Sequence, residues 1–131
     1  MLNGKFISVQ AEHFAGRVGR VAQTPHDQVR CGLEIAMSRP ATEEEVLTYH
    51  SLDYLAAVRS LSQGVTSPNP ARYGFSQAGD NPIFPGMYQA ALLSTGASLV
   101  AVELLLSGDV EVAFSPAGGL HHAMPDHASG F

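Results

Sequence analysis

The residues of this chain best suited to moving protons are its histidines, and three of the six stand close together: His121, His122 and His127. An imidazole titrates near neutrality, so it can take a proton at one step of a reaction and release it at the next. Neighbouring residues on an extended chain point to opposite sides, so His121 and His122 would not simply clamp one ion together. Their adjacency suits a relay better, with one ring near a reacting atom and the other near a carboxylate; Asp126 is a local acid. Spacing alone leaves three readings open: acid–base catalysts, exposed or structural histidines, and an independent metal site built from His121, His122 and His127. The glycines of Pro116-Ala117-Gly118-Gly119 allow a tight turn and close approach of a ligand, or a turn with no ligand. Neither Gly-x-x-x-x-Gly-Lys, Cys-x-x-Cys, His-Glu-x-x-His nor Gly-x-Ser-x-Gly occurs in the sequence. Asp80, in Gly79-Asp80-Asn81-Pro82, reads on its own as a turn former.

These residues need elements to hold them. Phe6-Ile7-Ser8-Val9 predicts a first strand, and residues 10–24 a loop. Thr24-Pro25 starts a helix running to about Glu34, and Ile35 to Ser38 is a second short strand closed by Pro40. Thr42-Glu43-Glu44-Glu45 is a capping box for a helix to about Tyr49. Leu52, Leu55, Val58 and Leu61 repeat at helical spacing and end at Gly64. Residues 65–85 form a long loop, which is either functional or a plain connection. Pro85 to Ser107 is the longest helix, apolar on nearly every side, and such a helix must be covered all round. Val110 to Phe114 reads as a strand. Strands alternating with helices predict an α/β fold with a parallel sheet, whose ligands bind beyond the strands' carboxyl ends, where the loop after Phe114 lies.

The 131 residues suit one domain spanning 1–131. Apolar residues make up 45% and charged residues 15%, so some apolar surface is expected to be buried against something else. The net charge of -5, with no basic cluster, argues against nucleic acid as a partner. The single cysteine, Cys31, excludes an intrachain disulfide and reads as a small core residue. No signal peptide is evident, and the apolar run Ala97 to Leu106 is too short to span a bilayer. No membrane partner and a cytoplasmic location are therefore expected.

The stretch from Pro116 through Gly118-Gly119-Leu120-His121-His122-Ala123 to Ala128-Ser129-Gly130-Phe131 resembles the histidine-dyad segment of histone deacetylases, with the bacterial acetoin-utilisation branch nearest. Tyr49-His50-Ser51-Leu52-Asp53-Tyr54 is similar to that family's Tyr-His-Ser-x-x-Tyr segment, and Gly79 to Tyr88 to its Asp-x-Pro loop and following helix. The match is strong over 42–131 and weak before it, where Gln23 to Arg30 is a distorted form of a His-Pro-x-x-Pro-x-Arg string and Arg30 the candidate channel-floor arginine. The resemblance implies the N-terminal portion of a three-layer, parallel-sheet arginase/deacetylase fold. It implies a hydrolase of N-acetyl amides on lysine-like or polyamine-like amines, in which zinc polarises the acetyl carbonyl and activates water. By position, His121 and His122 match the dyad, Gly130 and Phe131 the acyl channel wall, and Asp80 the carboxylate that holds the substrate backbone. The family's zinc ligands, an Asp-x-His pair and a later Asp, and its catalytic tyrosine match no segment here. The expectation is a chain with no metal ligands or cofactor of its own, inactive by itself. It would bind an acetylated amine only once completed by its missing C-terminal part. The alternative is a non-catalytic module that self-associates or binds a partner through the apolar helix 85–107 and the sheet edge.

Overall fold

A computed structural model of the chain describes residues 6–10, 33–65, 69–117, 122 and 124–130. They group into two compact units that interleave along the sequence, one drawn from 1–39 and 96–118, the other from 40–95 and 119–131. Of the loop expected over 10–24, Gln10 is strand, the last residue of β1, because it pairs with Met37; residues 11–24, most of the helix expected over 25–34, Cys31, Arg30, His121 and Phe131 lie outside the described residues.

The first unit is a three-stranded parallel sheet with the second half of a long helix. β1 (Phe6–Gln10) is central, flanked by β2 (Leu33–Met37) and β3 (Val112–Phe114) in the order β2-β1-β3. Both pairings are parallel, as the strand–helix alternation predicts. The end of the expected helix is corrected: Leu33 and Glu34 are strand, because β1 pairs with β2 along its whole length, from Phe6↔Leu33 to Gln10↔Met37. Tertiary pairing overrides a local helical pattern. Val110 is also not strand. Its N–H donates to the Leu104 carbonyl, closing the long helix after Gly108 (φ +78), and is lost to the sheet ladder. Its side chain is buried instead with Ala97 and Ala101, over Ala36 and Ala113 of the sheet. These small residues let helix and sheet approach closely. The strand period is visible in what remains: Ile35 and Met37 alternate with Ala36, Val112 and Phe114 with Ala113, and all four are exposed.

The second unit is helical. α1 (Glu43–Leu47) starts on the capping box read from sequence, with Thr42 Oγ1 accepting from Glu45 N–H at 3.2 Å and Glu45 returning to Thr42 N–H at 2.7 Å. It stops at Leu47, two residues short of expectation. α2 (Leu52–Ser62) is capped by Ser51, and it buries Leu55, Ala57 and Leu61. Leu52, expected on the same stripe, sits in the first turn and is 68% exposed. The expected long loop contains a 3-10 helix, Pro70–Tyr73, closed by Gly74 in the left-handed conformation (φ +75). α3 (Met87–Leu106) gives its first turns to this unit. Ser62 joins it to α2: its hydroxyl accepts from Tyr88 N–H and its carbonyl from Gly86 N–H. The Tyr88 hydroxyl accepts from Arg59 at 2.9 Å and donates to Glu43 at 2.7 Å, while Arg59 pairs with Glu43 and lies over the Tyr88 ring.

α3 has 20 residues and is apolar enough, by length and composition, to cross a bilayer, so the shorter run measured from the sequence understated it. Ala97 is fully buried, whereas Val102, Leu105 and Leu106 are exposed, Leu106 at 83%. The cover that an all-round apolar helix requires is thus incomplete among the described residues.

Candidate active site

Among the described residues, hydrogen bonds with Ser51, His50 and Tyr73 fasten the segment that carries His122 within the helical unit. As the N-cap of α2, Ser51 accepts from Tyr54 N–H with its hydroxyl, which leaves its own N–H free of the helix. That N–H donates to the Pro125 carbonyl at 2.8 Å. The Nδ1 of His50 lies 3.0 Å from the Met124 carbonyl; a carbonyl only accepts, so the ring nitrogen is the donor. Further along, Ala128 N–H donates to the Tyr73 carbonyl at 2.8 Å. Gly74 then passes so near that a Cβ there would overlap the Ala128 carbonyl oxygen.

Behind these contacts stands an aromatic cluster. Tyr54 stacks on Tyr73 and on Phe75, with centroids 6.3 Å apart in each case, and His50 tilts over Tyr54 at 5.4 Å. The Tyr73 hydroxyl donates to Asp53 at 3.0 Å, and Arg72 donates to the same carboxylate oxygen at 3.2 Å. Burial raises the Tyr54 hydroxyl above its ordinary pKa. Burial and then the Asp53 hydrogen bond raise that of Tyr73, against the pull of Arg72. Both phenols thus hold their proton more tightly folded than unfolded, where the value is 10.0. Their contribution to stability is complete below that pH and is lost as the pH rises through the raised values. The urea midpoint should therefore fall as the pH is taken above 10.0, and Tyr54→Phe should flatten the fall. An identical alkaline slope in the variant would contradict this.

His122 has φ +65, the one non-glycine in the left-handed region among the described residues. That conformation costs about 1–2 kcal/mol in an L residue and tends to persist where a site requires it. Gly130 (φ +76) lies against it: a Cβ at 130 would sit 3.0 Å from His122 Cδ2 and 3.1 Å from its Cβ. Two of the residues singled out in the sequence, His122 and Gly130, are therefore brought together. Asp126, the local acid, is hydrogen-bonded through Oδ1 to His127 Nδ1 at 2.7 Å, which holds its carboxyl below the usual range. Asp80 is exposed in the turn between Ser76 and Asn81, where Ser76 N–H meets the Asn81 carbonyl, and no hydrogen bond ties it to 124–130 among the described residues. The supporting residues His50, Ser51, Tyr73 and Gly74 had no assigned role in the sequence, although His50 and Ser51 fall in a segment singled out for its resemblance.

A bound zinc takes three or four His, Cys, Asp or Glu donors. Among the described residues no three such side chains converge, and the 131 residues contain no Asp-x-His. These residues do not by themselves fit the metal, and no step is derived through it.

The profile of the histone deacetylase domain matches residues 14–131. Over 99 residues the chain is 37% identical to the acetoin utilization protein AcuC of Bacillus subtilis (strain 168), covering 75% of this chain and 25% of that protein. Over 100 residues it is 35% identical to histone deacetylase 1 of Homo sapiens, covering 76% and 21%. Among solved structures, a histone deacetylase homologue from Aquifex aeolicus superposes with a TM-score of 0.63 at 33% identity, over 74% of this chain and 26% of that one. The chain thus spans about a quarter of the length of the relatives it matches. With the parallel sheet and the pinned His122 segment, the match over 14–131 places this chain in the histone deacetylase family, with a partial arginase/deacetylase fold.

Proposed function

We propose that the chain is the N-terminal part of a zinc-dependent deacetylase, an amide hydrolase for N-acetyl lysine-like or polyamine-like substrates, and that it does not turn over substrate alone. The observation that carries this reading is the family match over 14–131, with His122 held in the left-handed conformation against Gly130. In this reading His121 and His122 take a proton from the attacking water and return it to the leaving amine. Gly130 and Phe131 line the acyl channel, and Asp80 holds the substrate backbone. The metal is supplied by residues outside this set.

Two further features fit an incomplete fold. The apolar face of Ile35, Met37, Val112 and Phe114 is exposed, and among the described residues nothing forms the second layer that a parallel sheet normally carries. Ser38 Oγ and Ser115 Oγ, just past the carboxyl ends of β2 and β3, are buried without a hydrogen-bond partner among the described residues, at a cost of about 1–3 kcal/mol each. We take α3 as a helix of this fold and not a membrane span, since Ala97 and Ala101 pack on Val110 and Arg39 pairs with Glu103.

The same open face favours a second reading, a module that self-associates. One experiment separates the two: the purified chain, and a chimera continuing it with the rest of Bacillus subtilis AcuC, are each given zinc and an acetyl-lysine peptide, with light scattering on the chain alone. The first reading expects turnover from the chimera only. A silent chimera that folds would count against it, and a stable monomer at high dilution would remove the second.

A further inference from the structure

We propose that His50 is a positioning residue for the histidine segment: its Nδ1–H, donated to the Met124 carbonyl, sets the path of the backbone from Met124 to Ala128. This rests on the reading of His122 as a proton-moving residue, but the contact itself does not. The segment has two anchors on the Ser51 side, His50 to Met124 and Ser51 N–H to Pro125, on consecutive carbonyls. It has one on the other side, Ala128 N–H to Tyr73. The His50 contact comes from a side chain, so it depends on residue type and ring tautomer. The tautomer is specified: the proton must be on Nδ1, whichever state Nε2 is in. The ring is braced for this, edge-on to Tyr49 at 5.1 Å and tilted on Tyr54 at 5.4 Å, so the aromatic cluster sets the orientation and the nitrogen makes the contact. His122, two residues before Met124, is in the left-handed conformation.

Two substitutions separate the donor from the packing. His50→Phe keeps a ring against Tyr49 and Tyr54 but has no N–H; His50→Asn keeps an N–H near the Nδ1 position but loses the ring. The test is amide hydrogen exchange on the labelled chain, with long-range nitrogen–proton correlation of the wild-type His50 ring. His50→Phe should speed exchange at Ser51 and Ala128 about fivefold, the worth of one net hydrogen bond, while Leu61 within α2 is unchanged. His50→Asn should restore Ser51 towards the wild-type rate. In the wild type, Nδ1 should carry the proton when the ring is neutral. A neutral ring protonated on Nε2 overturns the proposal, as does wild-type exchange at Ser51 in His50→Phe. If His50→Phe unfolds, shown by fast exchange at Leu61, the asparagine variant decides: protection at Ser51 supports the proposal and its loss overturns it. None of these outcomes depends on deacetylation, so a failure of the enzymatic reading would be seen separately in the chimera.

Discussion

Gly74→Ala is expected to destabilise the helical unit by about 2–3 kcal/mol, a large effect for a single substitution. Two costs combine. An L side chain at φ +75 carries about 1–2 kcal/mol of backbone strain. The new Cβ would also overlap the Ala128 carbonyl oxygen, which is backbone and cannot swing aside as a side-chain tip can. Relief requires the 124–130 segment to move off the 3-10 helix, which breaks the Ala128 N–H to Tyr73 hydrogen bond and adds about 1 kcal/mol. Gly64 is the matched control, because it has φ +80 with nothing among the described residues within 4 Å of its would-be Cβ. Gly64→Ala should cost only the strain, about 1–2 kcal/mol. Urea denaturation of both variants makes the comparison, and equal losses would show that the approach of Gly74 to Ala128 is unimportant.

Gly130→Ala is expected to act on chemistry more than on stability. Its Cβ would press on the Cδ2, Cβ and Cγ of His122 at 3.0–3.2 Å, so the ring must shift by a few tenths of an ångström or more. A displacement of about 1 Å in a group that handles a proton in the transition state costs about 100-fold in rate, so a shift of a few tenths should cost roughly severalfold. In the chimera with the rest of AcuC, the loss should fall on kcat with KM little changed. Gly86 again offers a control, with φ +83 and open space at its Cβ; Gly86→Ala should carry the backbone strain and leave turnover near the parent value. Parent turnover in Gly130→Ala would remove His122 from the proton path.

What could be read from the residues and what could not divides along physical lines. Local signals held. The Thr42–Glu45 box caps α1, Gly64 and Gly108 end helices, and the strand–helix alternation corresponds to a parallel sheet. Boundaries set by distant partners did not: Leu33 and Glu34 became strand because β1 reaches that far, and Val110 left β3 because its N–H closes α3. The two compact units are built from interleaved stretches, so no linker or change of composition marks them. Within the site, His122 and Gly130 were each visible by resemblance. Their contact depends on two positive φ angles that no residue pattern announces, because histidine rarely adopts one. His50 was quoted as part of a motif, but its use becomes evident only when Met124, 74 positions away, is placed beside it.

In the proposed reading His121 and His122 belong to the proton-handling half of a deacetylase site whose metal is held by other residues. The most direct measurement is the initial rate of acetyl-lysine hydrolysis by the purified chain, with zinc supplied, beside the same chain continued by the rest of AcuC. The account predicts no turnover above background from the chain alone and clear turnover from the continued chain, lost on His122→Ala. Zinc-dependent turnover by the 131 residues alone would contradict it.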